Sequence, residues 1–253
     1  MTGTHMGDWP ATPYPGRRPD VSVLVDPAGR VHSVASDPSG PGRWRTEHGD
    51  LDDHLAAEGA APLAERVPVL AYGSNASPGK IAQMSHPDEA GLPLPAVLLR
   101  ARAHGLAAAW ADGRRARDGA VPATLVASPG RVEWMAVLMV AADQWPALDR
   151  VEGRGARPES RYRLMRVTAG TVELVDGTVL DPVWAYVGSA PSRRPAVGPD
   201  GRAVLMADAP APLPAGESGT TARVESSGAD AAAKRLGDWW PDDAVPEPVP
   251  RAR

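Results

Sequence analysis

The middle of the chain alternates short apolar runs with breaks marked by proline, glycine and aspartate, the pattern of many short strands and few helices. Residues 20–34 carry two β-prone runs around Asp26-Pro27-Ala28-Gly29, which is a hairpin signal. Val67-Pro68-Val69-Leu70-Ala71-Tyr72 reads as a buried strand with its proline near the start, where a missing ladder donor is tolerated. Strands are also expected at 96–102 and 106–110. Residues 121–127 and 132–140 are expected to form a hairpin around Ser128-Pro129-Gly130-Arg131. Residues 162–167 and 172–174 read as a strand pair, and 183–187 as a further strand stopped by Gly188.

Helical patterns are fewer. Residues 51–61 are expected to hold a short helix. A second starts with Ser77 as N-cap and Pro78 at the first helical position, and closes at His86-Pro87. Within 143–151, Trp145, Leu148 and Val151 recur at helical spacing; Ala142 or Asp143 stands where a cap would, and Gly153 where helices commonly end. Residues 229–240 predict a last helix. The flanks are less regular: 1–19 is polar, rich in Gly and Pro and expected to be loose, and 189–222 is dominated by Pro, Ala and Gly around the apolar island Val204-Leu205-Met206.

Composition narrows the function classes. At 253 residues the chain can bury a real core without a staple. Phe is absent, so the 8 Trp must supply much of the aromatic packing. The 27 basic and 31 acidic residues are mixed, giving a net charge of -4, and no concentrated basic face points to nucleic acid. Arg114-Arg115 and Arg193-Arg194 read as solvated loops. With no Cys there is neither a disulfide nor a thiolate nucleophile. No apolar run is long enough to span a bilayer, and the first residues lack a signal-peptide pattern. A soluble, cytoplasmic protein without membrane partners is expected.

Two features carry candidate chemistry. The strand ending at Tyr72 runs into Gly73-Ser74-Asn75 and then into a helix, a turn that exposes consecutive backbone N–H groups able to hold a carboxylate or a developing oxyanion. Gly73 is expected to permit the bend and a ligand's close approach. Glu152, between an apolar-patterned helix and a glycine, can point inward, where burial raises a carboxyl pKa into the general acid/base range; Glu133 and Glu159 compete for that role. The six histidines, His5, His32, His48, His54, His86 and His104, show no paired metal-ligand spacing, so no metal site is expected. His104 is a candidate pocket-lining residue. There is no nucleophile elbow and no Walker loop, and Ser74 has no identifiable base.

Taken together, Ala71-Tyr72-Gly73-Ser74-Asn75, Ala123-Thr124-Leu125 with Ser128-Pro129-Gly130 and Trp134, Leu148-Asp149-Arg150-Val151-Glu152-Gly153, Tyr162 and Tyr186-Val187-Gly188 resemble the gamma-glutamylcyclotransferase-like superfamily over roughly 67–188. The resemblance implies an α+β fold, a mixed, barrel-like β-sheet with a few flanking helices. It implies Glu152 as the acid/base and Tyr72, Gly73, Ser74, Asn75, Ala76, Tyr162 and Tyr186 around the substrate, with Thr124 as a further lining residue. The implied reaction is cofactor-free: the α-amine of a γ-glutamyl compound attacks its own γ-carbonyl, giving 5-oxoproline and a free amine. Ala76 departs from the bulky apolar residue usual there and is expected to enlarge or reshape the pocket. The basic stretch from Arg154 to Arg157 is expected either to favour an anionic leaving part or to be a solvated loop. The resemblance thus divides the chain into an N-terminal extension (1–66), a core (67–188) and a C-terminal extension (189–253), and the two extensions are expected either to cover the pocket or to mediate self-association as a homodimer. A non-catalytic small-molecule-binding protein with the same pocket is the alternative reading.

Overall fold

The computed structural model describes residues 4–85, 91–156, 159–209 and 235–248. Within them, thirteen strands form one mixed sheet, with three short α-helices against it. The α+β class is as expected. The strand path runs from edge to edge, however, and does not close into a barrel.

The centre of the sheet is apolar throughout. Strands β6 (Val67–Ala71), β7 (Ala96–Trp110) and β8 (Ala123–Val140) lie side by side, with β6 antiparallel to β8 and β8 to β7. Buried residues such as Leu70, Leu99, Val137 and Met139 pack on one side of this sheet and Val69, Leu98, Leu138 and Val140 on the other, which is why these runs lack clean alternation. On the far side of β6 comes β12 (Val183–Gly188), parallel to β6, followed by β9 (Tyr162–Val167) and the edge strand β13 (Gly237–Trp239). Beyond β7 the sheet continues through the hairpin β2 (Ser22–Val25) and β3 (Arg30–Ser36), then β4 (Trp44–Thr46) and β5 (Gly49–Asp50). Segment 1–66 thus supplies strands to the same sheet. The short β1 (Thr4–His5) pairs with β3.

Several expectations need correction. The two expected strands at 96–102 and 106–110 are one strand, β7, bulged at Gly105. The expected hairpin of 121–127 with 132–140 does not form. Both runs belong to β8, and each pairs with its own half of β7, leaving Ser128-Pro129-Gly130-Arg131 as an excursion opposite that bulge. The turn residues mark a bend shared by two long strands. Nor do residues 162–167 pair with 172–174: β9 lies between β12 and β13, whereas β10 (Thr171–Leu174) pairs with β11 (Val179–Leu180) and β7. Gly188 belongs to β12. Of the helix expected at 229–240, residues 229–234 lie outside the described residues, and 237–239 are strand β13, where sheet pairing overrides helical patterning. The closing pair His86-Pro87 also lies outside them.

The helices are short. Helix α1 (Leu51–Ala57) is capped by Asp50, whose side chain accepts from the N–H groups of Asp52 and Asp53. Helix α2 (Pro78–Met84) starts with Pro78, but the Ser77 side chain makes no cap bond. Helix α3 (Trp145–Glu152) follows a 3-10 turn at Ala142–Gln144 and ends at Gly153, which takes the left-handed conformation at φ 68°. The N-terminal residues, expected to be loose, pack against α2. A Cβ on Gly79 would lie 1.6 Å from the carbonyl oxygen of Trp9, so only glycine lets the two segments meet. Val204-Leu205-Met206 bonds to the outer end of β7 through Trp110 and Ala108.

Candidate active site

The turn after β6 and the end of α3 face each other across a cavity of about 370 Å³. β6 delivers Tyr72, and residues Ser74–Ala76 form a single 3-10 turn before α2. Among the described residues, the backbone N–H groups of Gly73, Ser74 and Asn75 have no acceptor in the protein; the first paired one is that of Ala76, bonded to the Gly73 carbonyl. These residues are half-buried and line the cavity, so the three donors are available to a ligand or water. Opposite them, Glu152 is the last residue of α3. Its carboxylate, ringed by protein atoms yet open to the cavity, accepts a hydrogen bond from the Asn75 side-chain amide at 2.7 Å. Two segments 77 residues apart are thereby joined by one contact.

The reason for Gly73 differs from the expected one. Its φ of -111° does not require glycine. What requires it is space, because a Cβ there would meet the Tyr14 hydroxyl at 2.7 Å.

All four tyrosines of the chain line the cavity: Tyr14, Tyr72, Tyr162 and Tyr186. Each hydroxyl is tied down. The Tyr72 hydroxyl donates to the Tyr186 carbonyl, the Tyr186 hydroxyl to Asp149 at 2.6 Å, and the Tyr162 hydroxyl to the Ala123 carbonyl at 2.9 Å. The Tyr14 hydroxyl accepts from the Ala123 N–H at 2.9 Å. Burial pushes all four phenols up, Tyr14 to about 12, so they stay neutral and serve as walls and donors.

The charge of the lining is lopsided. Lys80, Arg115, Arg117, Arg161 and Arg193 line the cavity with Glu152, but Arg115 is bridged to Asp118 at 2.6 Å and Arg117 lies 3.6 Å from the same carboxylate, so part of this positive charge is already balanced. Burial raises the Glu152 pKa; the hydrogen bond from Asn75 and the charges of Lys80, Arg161 and Arg117 only partly oppose this. Burial likewise lowers Lys80, to about 8, helped by Arg117 and opposed by Glu152. A smaller adjoining cavity shares Ser74, Lys80, Arg115 and Arg117 and adds Thr12 and Asp118. A small acidic ligand fits this field better than a cationic one.

Solved structures provide one comparison. The chain is similar in structure to a gamma-glutamyl cyclotransferase. That likeness covers 49% of this chain and 68% of the other, at 19% identity and a TM-score of 0.39. An uncharacterized Homo sapiens protein is similar over 49% of this chain and 68% of its own, at 19% identity and a TM-score of 0.37. A solution structure from Arabidopsis thaliana is similar over 55% and 75%, at 22% identity and a TM-score of 0.35. No family model and no curated protein matches the sequence.

Of the residues singled out in the sequence, Tyr72, Gly73, Ser74, Asn75, Glu152, Tyr162 and Tyr186 line the cavity together. Ala76 does not; it is buried in the core, so its small side chain does not enlarge the pocket. Thr124 is fully buried behind the wall, where its hydroxyl accepts from the Gly188 N–H at 3.1 Å. His104 is elsewhere on the sheet, paired with Glu173 at 3.2 Å. Glu133 is engaged by Arg131 and the Ala108 N–H, and Glu159 is exposed. Arg154 neither reaches the ligand space nor stands in solvent. It is buried, paired with Asp149 and with the carbonyls of Pro241 and Ala244, and pins the C-terminal segment to the end of α3.

The sequence reading missed Tyr14, Lys80, Arg115, Arg117, Arg161 and Arg193. Arg115 and Arg193, expected in solvated loops, both line the cavity, and Arg193 is buried. One compositional signal was available: a chain with only four tyrosines places all of them here. No helix among the described residues is long and apolar enough to cross a membrane.

Proposed function

We propose that this protein is a cyclotransferase that converts a γ-glutamyl amine or peptide to 5-oxoproline and a free amine, with Glu152 as general acid/base. The observation that carries this reading is the 2.7 Å contact between Asn75 and Glu152, which sets one ionisable carboxylate beside three unpaired backbone donors. The motifs of the gamma-glutamylcyclotransferase-like superfamily supply both halves of that contact.

In this scheme the cationic lining and the turn amides hold the α-carboxylate and the γ-carbonyl of the substrate. Glu152 takes a proton from the α-amino group. The amine nitrogen then bonds to the γ-carbonyl carbon, closing the five-membered lactam ring. The γ-amide C–N bond breaks, and the leaving nitrogen receives the proton back from Glu152. The raised carboxyl pKa suits both transfers. Because nucleophile and electrophile belong to one molecule, enforcing the cyclic conformation supplies much of the acceleration.

The test is release of 5-oxoproline from a panel of γ-glutamyl amines and γ-glutamyl dipeptides. Glu152→Gln keeps the shape and an oxygen to accept from Asn75, and is expected to lower kcat by about 10²–10⁴-fold. Undiminished turnover in that variant refutes the mechanism. Ligand binding without 5-oxoproline from any panel member would leave a binding protein.

A further inference from the structure

Three of the histidines that are scattered along the sequence converge in space, against the expectation that no metal site exists. His32 is buried on β3, while Glu47 and His48 are the two loop residues of the tight β4–β5 hairpin. One ligand atom from each of His32, Glu47 and His48 lies within 4.8 Å of the others. His32 Nδ1 is 3.0 Å from a Glu47 oxygen, and His48 Nε2 is 3.8 Å from the same oxygen. A third imidazole, His54 on α1, packs edge-on against His32 with ring centroids 5.3 Å apart.

We propose that His32, Glu47 and His48 form a binding site for a late first-row divalent cation of the zinc class. Two imidazoles and a carboxylate are a donor set suited to such ions, and drawing donor atoms from these separations onto bonds of about 2.0–2.1 Å takes shifts of roughly an ångström. The second observation is the orientation of His32. Its other ring nitrogen, Nε2, faces Asp26 at 3.0 Å, and Asp26 is itself held by the Arg30 N–H at 2.8 Å. A carboxylate behind a histidine favours the tautomer whose Nδ1 can exchange its present contact with Glu47 for a metal, which is how ligating histidines are commonly supported. Glu47 and His48 are exposed, so an ion has an entry path and open coordination positions for water. The site belongs to the β3–β5 end of the sheet, and none of its residues lines the cavity of Glu152.

The experiment uses the full chain, stripped of metal with a chelator and titrated with Zn²⁺ against a chromophoric competitor, and with Co²⁺ for its visible spectrum. One equivalent is expected to bind, Tm to rise with Zn²⁺, and bound Co²⁺ to give ligand-field bands of nitrogen and oxygen coordination. His48→Ala, at an exposed hairpin tip, is expected to keep the metal-free Tm of the parent and to bind at least tenfold more weakly. Asp26→Asn is expected to weaken binding about 10–100-fold. Failure to bind one equivalent overturns the proposal, and so does a His48→Ala variant that binds as tightly as the parent. Neither result bears on 5-oxoproline release.

Discussion

Substituting Gly73 by alanine tests the construction of the candidate site at a single atom. The added methyl would lie 2.7 Å from the Tyr14 hydroxyl oxygen, well inside contact distance. Tyr14 has little room to retreat. Its hydroxyl is bonded to the Ala123 N–H at 2.9 Å, the Arg115 guanidinium lies over its ring at 4.6 Å, and Trp110 packs beside it at 6.3 Å. Overpacking of this kind costs about 1–3 kcal/mol, and breaking the Ala123 bond adds about 1 kcal/mol. The loss of unfolded-state freedom on Gly→Ala offsets about 0.4–1 kcal/mol. A net destabilisation of about 1–3 kcal/mol follows, or a fall in Tm of roughly 2–12 °C for a chain of this size. Tyr14→Phe removes the clashing oxygen and leaves the ring carbon beneath it 3.8 Å from the methyl, an ordinary contact. The double variant is therefore expected to be no less stable than Tyr14→Phe alone, with a coupling energy at least as large as the Gly73→Ala cost, about 1–3 kcal/mol. Urea denaturation of the four proteins measures it. A Gly73→Ala variant as stable as the parent, or two effects that simply add, would refute the steric reasoning.

Two further predictions follow from buried polar groups. The Lys80 amine has a folded pKa of about 8 against an ordinary 10.5, so between those values the unfolded chain binds more protons and stability rises with pH. That contribution, at most about 3 kcal/mol, is present above pH 10.5 and lost as pH falls through 8. Lys80→Met is expected to flatten the rise, measured as urea midpoints at pH 8, 9 and 10, and parallel pH profiles for the two proteins would contradict a desolvated amine. Tyr72→Phe removes the hydroxyl that donates to the Tyr186 carbonyl and is expected to cost about 1 kcal/mol, or about 2–4 °C in Tm. An unchanged melting curve would show that this bond does not hold β12 to the turn.

Local chemistry was legible wherever a residue's neighbours along the chain set its conformation. The strand 67–71, the turn at Gly73 to Asn75, the proline start of α2 and the glycine stop of α3 all follow from short-range sterics and capping, and each was readable as a pattern. Pairing was not. Ser128-Pro129-Gly130-Arg131 looks the same as a hairpin turn or as a bend, and only the partner strand β7 decides between them. Long-range contact likewise decided which charges matter: Arg154 proved to be a buried clamp, while Arg115, Arg193 and Lys80 turned to the cavity.

By itself, then, the sequence determined the local conformation around the two candidate stretches, Tyr72 to Asn75 after a strand and Glu152 before a helix-ending glycine, and the family resemblance singled them out as a pair. The tertiary structure alone decided that they touch, that Tyr14 from the N-terminal segment occupies the space a side chain at position 73 would need, and that His32, Glu47 and His48 meet. The physical reason is the same in each case. Conformation at a turn or cap is set over a few residues, whereas burial, ion pairing and ligand geometry depend on which distant segments the sheet brings together.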